Sequence, residues 1–219
     1  MLIPTEVIPF PRGPVVRLFN ISNFLGDQDG SLPPHVYDDL PRQEIDAANR
    51  FRLRSDMVRS ILGRYLMRRE LGLLLNVKPS QVCLEIGEHG KPRIAAITGN
   101  SIEFNLSHSG MFIAIATCET PVGVDVEESR VVEEVEALAL HFLTPDERSA
   151  IMKSRKECRS DEFLKCWTRK EAVLKALGYG LYRDPSSVST LRDRDPENTW
   201  IVSSVTVSAL FHCAVAWLR

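Results

Sequence analysis

From residue 122 to 128 the chain reads Val-Gly-Val-Asp-Val-Glu-Glu. Alternation with period two is the pattern of a β-strand. Val124 and Val126 then enter a core, while Asp125 and Glu127 project together from the other face, their α-carbons about 6.6 Å apart. Converging carboxylates repel by roughly 4 kcal/mol at 4 Å and an effective dielectric near 20. Two arrangements relieve that repulsion. One is a solvated strand edge, in keeping with Glu128 and Ser129, which follow directly. The other is a hard divalent cation. Magnesium suits a site with few carboxylates completed by water or phosphate oxygens.

The 219 residues suffice for one large domain or two small ones. Against 27 basic residues stand 29 acidic ones, which argues against general nucleic-acid binding. No apolar run reaches the ~18 residues of a membrane span. The opening MLIPTEVIPFPRGPVV has no basic stretch leading into an apolar one. A cytoplasmic protein is expected. The cysteines, Cys83, Cys118, Cys158, Cys166 and Cys213, are scattered without a CxxC pair. Inert thiols are expected rather than disulfides or zinc.

Proline and turn formers dominate up to about residue 42, with a short strand near Val15 to Phe19. A long helix is expected from Ser55, as N-cap, to a stop at Gly72, with Met57, Ile61, Leu62, Tyr65 and Leu66 on its core face. Strands are expected over 82–86, 102–106 and 111–117. After 119 come the VGVDVE strand and a helix over 133–142. Thr144-Pro145-Asp146-Glu147 then opens a helix through a capping box. EFLKCWTRKEAVLKALG forms a helix ending at Gly178, and two apolar strands close the chain. Each half thus offers a long helix followed by strands, and MFIAIAT resembles FHCAVAW. Two similar halves with a cleft between them are expected, divided as 1–118 and 119–219.

Several other stretches carry chemistry. Trp167, Glu171 and Lys175 are four apart and share a helix face. Glu171 and Lys175 form either an exposed Glu–Lys pair or part of a site, in which a carboxylate would complete an acidic cluster with Asp125 and Glu127 and Lys170 and Lys175 would serve phosphates. In FNLSHS, Ser107 and His108 end a strand before Gly110, where hydroxyl and imidazole are good phosphate donors. Gly90-Lys91-Pro92 sets a cation on a rigid turn. The arginine-rich helix, with Arg59 and Ser60, either lends arginines to a phosphate pocket or binds RNA.

In this order, these stretches resemble the surfactin-type 4′-phosphopantetheinyl transferases, in the larger, monomeric branch. The likeness runs from RF at 50–51 through Asp56…Arg59, GKP, FNLSHS, GVDVE and FLTPDE to WTRKEAVLKALG. It implies an α+β fold of two pseudo-symmetric α/β subdomains with the active site in the cleft between them. It implies that Asp125, Glu127 and Glu171 ligate magnesium. Lys91 and the Ser107–His108 pair would contact coenzyme A, and Lys170 and Lys175 would belong to its phosphate site. The reaction implied is transfer of the phosphopantetheine arm to a serine of an apo carrier protein. Glu171, or a water bound to the metal, would be the base, and Lys175 would stabilise the leaving phosphate. Glu44 and Ala47 stand where basic residues are expected to hold the 3′-phosphate, leaving Arg42 and Arg50 as substitutes. Three other readings compete: a catalytically silent coenzyme A-binding regulator, a magnesium-dependent phosphohydrolase and an RNA-binding module.

Overall fold

The structure, a computed structural model, describes residues 3–25, 32–95 and 102–219. Strands β1 (Glu6–Pro9) and β2 (Val15–Asn20) lead into short helices α1 (Ser22–Leu25), α2 (Pro34–Asp38) and α3 (Arg42–Ala48), then the long α4 (Arg54–Leu75). A two-stranded flap, β3 (Leu84–Ile86) and β4 (Pro92–Ile94), precedes the hairpin β5 (Glu103–Ser109) and β6 (Phe112–Cys118). The second half comprises β7 (Val122–Glu128), α5 (Val135–Phe142), α6 (Pro145–Lys153), α7 (Arg159–Ala176) and the hairpin β8 (Trp200–Ser208) and β9 (Phe211–Leu218).

The halves repeat one topology. Their sheets run β1-β2-β6-β5 and β7-β9-β8, antiparallel throughout. In each, the strand preceding the long helix pairs with the last strand, which pairs with the strand between. This is the pseudo-symmetric α+β arrangement expected from the sequence. The resemblance of MFIAIAT to FHCAVAW has a physical cause, since β6 and β9 are the equivalent inner strands and are buried on both faces.

Side chains join the two sheets. Asn105 Oδ1 accepts from Val124 N–H at 2.9 Å, Ser107 Oγ from Val126 N–H at 3.4 Å and Ser109 Oγ from Glu128 N–H at 3.1 Å. Alternate residues of β5 thus satisfy alternate amides of β7, and the constant offset makes the strands parallel. Val124 and Val126 enter a core with Val16, Leu18 and Phe112 from the first half. Ala172, Val173 and Ala176 of α7 pack with Ala214 and Ala216 of β9 in a second core.

Two helix boundaries differ from expectation. α4 starts at Arg54, because Leu53 O accepts from Asp56 and Met57 N–H at 3.1 and 3.2 Å, so Ser55 is not the cap. It also runs through Gly72. Asn76, in the left-handed conformation, ends it, and Val77 N–H returns to Gly72 O at 2.9 Å. A Cβ at Gly72 would lie 2.8 Å from Val77 O, so this glycine admits the returning chain. The Thr144 capping box forms as expected. All five cysteines are free thiols, and burial pushes the Cys166 thiol up to about 12. Among the described residues no helix is long and apolar enough to cross a membrane.

Candidate active site

Gly123 builds the site. A Cβ there would lie 2.1 Å from Ala172 O and 2.4 Å from Ala176 N. Only glycine lets α7 lie this close to β7, and the approach brings Asp125, two residues on, against the last turn of the helix. Asp125 is buried. Its Oδ1 accepts from Lys175 Nζ at 2.6 Å and from Ser107 Oγ at 2.9 Å. Lys175 also reaches Val124 O at 3.3 Å and Ser107 Oγ at 3.4 Å. The second oxygen, Asp125 Oδ2, is buried with no hydrogen-bond partner, as is Glu171 Oε1.

These orphaned atoms set the electrostatics. Burial raises the pKa of Asp125, and the Lys175 ammonium only partly offsets it. Burial also raises that of Glu171; Lys175 opposes the rise, while the Asp125 and Glu127 carboxylates reinforce it. A buried carboxylate oxygen without a donor is costly unless a cation or proton meets it. Glu127 sits nearer the solvent, its Oε2 held by Arg130 at 2.9 Å and Ser109 Oγ at 3.3 Å. Among the described residues, no three carboxylate, imidazole or thiol groups form a ready-made metal centre. The donor set nevertheless suits a hard cation, because Asp125 Oδ2 and Glu171 Oε1 are buried carboxylate oxygens without a donor, and the Asp125 and Glu127 charges are close enough to act on Glu171.

The other expected residues divide. Ser107 reaches Asp125 from near the end of β5, the strand-end position expected for it. The turn is at Gly110, whose φ of 52° is left-handed. His108 stays exposed at the neighbouring position. Crowding by the surrounding protein nevertheless lowers its pKa, and the nearby Arg59 and Lys175 cations push the same way. Arg59 lies alongside, with Nε on Gly110 O at 2.8 Å and one terminal nitrogen on Asp56 at 2.6 Å. Gly90 turns the β3–β4 flap with φ 82°. Lys91 then points inward, donating to Val122 O at 2.8 Å and Lys175 O at 2.9 Å. It fastens the flap to both walls of the site. Beside it, Pro92, His89, Glu103, Leu177 and Gly178 help line a recess of about 270 Å³.

Two expected contacts are corrected. Lys170 is fully buried on the opposite side of α7, where it meets Glu147 Oε2 at 2.8 Å, Pro185 O at 2.9 Å and Val188 O. Successive residues of a helix point about 100° apart, so Lys170 need not follow Glu171 into the site. Ser60 is buried inside α4, bonded to Arg64. Glu44, expected to leave a gap at a phosphate site, instead makes a two-pronged pair with the buried Arg68 at 2.7 and 3.1 Å. The arginines at 59, 64 and 68 therefore have internal partners, and α4 does not present them as a free cationic face.

Asn105, Ser109, Gly123 and Arg130 were not singled out from the sequence. The polar alternation Asn105-x-Ser107-x-Ser109 was a visible signal for the seam. Gly123 had none, because its clash partner lies about fifty residues downstream.

Comparison with known proteins agrees with this geometry. A family model described as "4'-phosphopantetheinyl transferase superfamily" matches residues 121–213, and one described as "4'-phosphopantetheinyl transferase, N-terminal" matches 34–120. The chain is 32% identical to 4'-phosphopantetheinyl transferase psf-1 of Bacillus pumilus over 77% of this chain and 75% of that protein. It is 34% identical to 4'-phosphopantetheinyl transferase HetI of Nostoc sp., over 71% of this chain and 66% of that protein. It is 28% identical to 4'-phosphopantetheinyl transferase Sfp of Bacillus subtilis, over 70% of this chain and 66% of that protein. With the repeated topology, the acidic strand and the helix it meets, these matches mean that the chain belongs to the surfactin-type branch of the 4′-phosphopantetheinyl transferase family.

Proposed function

We propose that this protein transfers the 4′-phosphopantetheine arm of coenzyme A to a serine hydroxyl of an apo carrier protein, releasing 3′,5′-ADP. The observation that carries the reading is the pair of orphaned buried oxygens, Asp125 Oδ2 and Glu171 Oε1, beside the Lys175 ammonium. Such a site matches a reaction that breaks a pyrophosphate and piles negative charge on its oxygens.

Asp125, Glu171 and Glu127 would hold magnesium, which neutralises phosphate charge when bound. The chain's own groups do the rest. The serine oxygen forms a bond to the phosphorus carrying the pantetheine arm, and the bond from that phosphorus to the bridging oxygen breaks. Glu171 is the group to take the serine proton, since its Oε1 is buried without a hydrogen-bond donor and is free to accept one. Lys175 can place its ammonium on the phosphate that leaves. Lys91 keeps that helix end against β7. His108 and Arg59 stand at the rim to orient the substrate. Both halves contribute residues to one cleft, so a monomer suffices. The free cysteines suit a reducing cytoplasm.

The test is the intact mass of a purified apo carrier protein after incubation with coenzyme A, magnesium and this protein. A gain of one phosphopantetheine supports the reading. Glu171→Gln should abolish the gain while leaving the melting temperature close to wild type. Full turnover in that variant would remove Glu171 from its role. Coenzyme A binding with no gain on carriers of several pathways would favour the silent regulator.

A further inference from the structure

The cation on Asp125 is part of the protein. Lys175 Nζ lies 2.6 Å from Asp125 Oδ1 and 3.4 Å from Ser107 Oγ, on a side chain that is a quarter exposed. Its backbone is fixed by two independent restraints. Lys91 Nζ holds the Lys175 carbonyl at 2.9 Å, and the glycine at 123 clamps the helix. Among the described residues, the hydrogen-bond partners of its ammonium are Asp125, Ser107 and Val124 O. The ammonium is therefore a flexible arm on a rigid mount, resting on one oxygen of a carboxylate whose other oxygen has no partner. Glu171, one helical turn before it, has its own orphaned oxygen.

A divalent cation and this ammonium compete for the same carboxylate. A metal approaching Asp125 meets an internal positive charge and is repelled by it, twice as strongly as a monovalent ion would be. The lysine leaves at least cost when another anion receives it, because an ammonium stripped of its partner beside a buried carboxylate loses a favourable contact. The group that brings such an anion is a pyrophosphate.

We infer that Lys175 is an exchangeable internal counter-ion that couples the binding of metal to that of a pyrophosphate substrate: it occupies Asp125 in the free protein and moves onto the pyrophosphate when metal takes its place. The inference rests on the transferase reading for the identity of that substrate. Its consequence is an order of events. Metal alone binds weakly, and metal with coenzyme A binds tightly. By linkage, metal tightens coenzyme A by the same factor. The free enzyme thus carries no exposed, charged metal to promote stray hydrolysis.

Two measurements test it, and neither needs a carrier or turnover. The first is Mn²⁺ binding to the full chain, followed by electron paramagnetic resonance without coenzyme A, for wild type, Lys175→Met and Lys175→Arg. Methionine keeps the Cβ packed at Gly123, so the fold should persist, and melting curves check this. Lys175→Met should bind Mn²⁺ more tightly by about fivefold or more, the lower range of site-to-site coupling. Lys175→Arg, which keeps the charge, should stay near wild type. The second is the ¹⁵N resonance of the Lys175 ammonium, assigned by its loss in Lys175→Met. It should report a protected, carboxylate-bonded ammonium in the free protein and shift when Mg²⁺ and coenzyme A are added together. Equal Mn²⁺ affinity of wild type and Lys175→Met overturns the inference. So does a Lys175 resonance unchanged by Mg²⁺ with coenzyme A, which would reduce the effect to distant charge repulsion. If no carrier is ever modified but both measurements give the expected result, the transferase reading fails and the exchange stands.

Discussion

A single missing methyl group at Gly123 sets the distance between the acidic strand and the helix that completes it. Any Cβ at this position would overlap two backbone atoms of α7, and backbone cannot rotate away as a side chain can. Overpacking a core ordinarily costs about 1–3 kcal/mol, with larger values where nothing yields. Gly123→Ala should therefore lose about 3 kcal/mol in denaturant unfolding. Phosphopantetheinyl transfer should fall further than stability does, because α7 carries Glu171 and Lys175 away from Asp125. Activity equal to wild type would show that the close approach is dispensable. The carboxylates themselves were legible in the sequence, since period two put Asp125 and Glu127 on one face and period 3.6 put Glu171 and Lys175 on another. The glycine's purpose was not. Its neighbours in space belong to an element read from a different part of the chain.

Among the helices, α7 has two faces with different duties. Glu171 and Lys175 line the cleft. Lys170 turns the other way, into a fully buried pair with Glu147 of α6. Glu147 Oε1 also accepts from Thr190 N–H at 2.7 Å and Oγ1 at 2.9 Å, and its Oε2 from Thr144 N–H at 2.9 Å. One carboxylate thus caps α6, pairs with α7 and anchors the chain after it. Burial by itself would raise the Glu147 pKa, but the Lys170 ammonium and the donated hydrogen bonds outweigh it and hold the carboxyl below its usual range. The stability this supplies is present above the ordinary carboxylate pKa and is lost as pH falls through the lower, folded value. Lys170→Met should cost about 3–5 kcal/mol, because it strands a buried charge. The acid-unfolding midpoint should move up in pH. Lys170→Met with Glu147→Gln, which removes the stranded charge but keeps an oxygen to accept from Thr190, should recover part of the loss, and a double-mutant cycle reads the coupling. The Michaelis constant for coenzyme A in folded Lys170→Met should stay at the wild-type value; a large rise would return Lys170 to the substrate site. The capping box that contains Glu147 was plain in the sequence. Its partner was not, since spacing along one helix does not say which neighbour lies behind it.

At the scale of the molecule, the two halves meet along a parallel seam in which side chains take the place of a backbone ladder. The sequence announced two halves through its repeated helix-then-strands order, and the family resemblance named the cleft. It could not announce that Asn105, Ser107 and Ser109 do the joining, because a strand of alternating polar residues reads equally well as a solvated face. The seam makes a physical link between stability and site, since Ser107 serves both Val126 N–H and Asp125. If the halves fold as one unit, a defect in the seam must be felt on both sides. Asn105→Ala leaves the buried Val124 N–H without its acceptor, at a cost of about 1–3 kcal/mol. Native-state hydrogen exchange resolves where that cost appears. The slowest amides of β6 and β9, the inner strands of the two sheets, should share one opening free energy in the wild type and fall together in Asn105→Ala. A fall confined to β9 and β7 would mean that the second half opens alone, so that the cleft would be a contact between independent units rather than the interior of one.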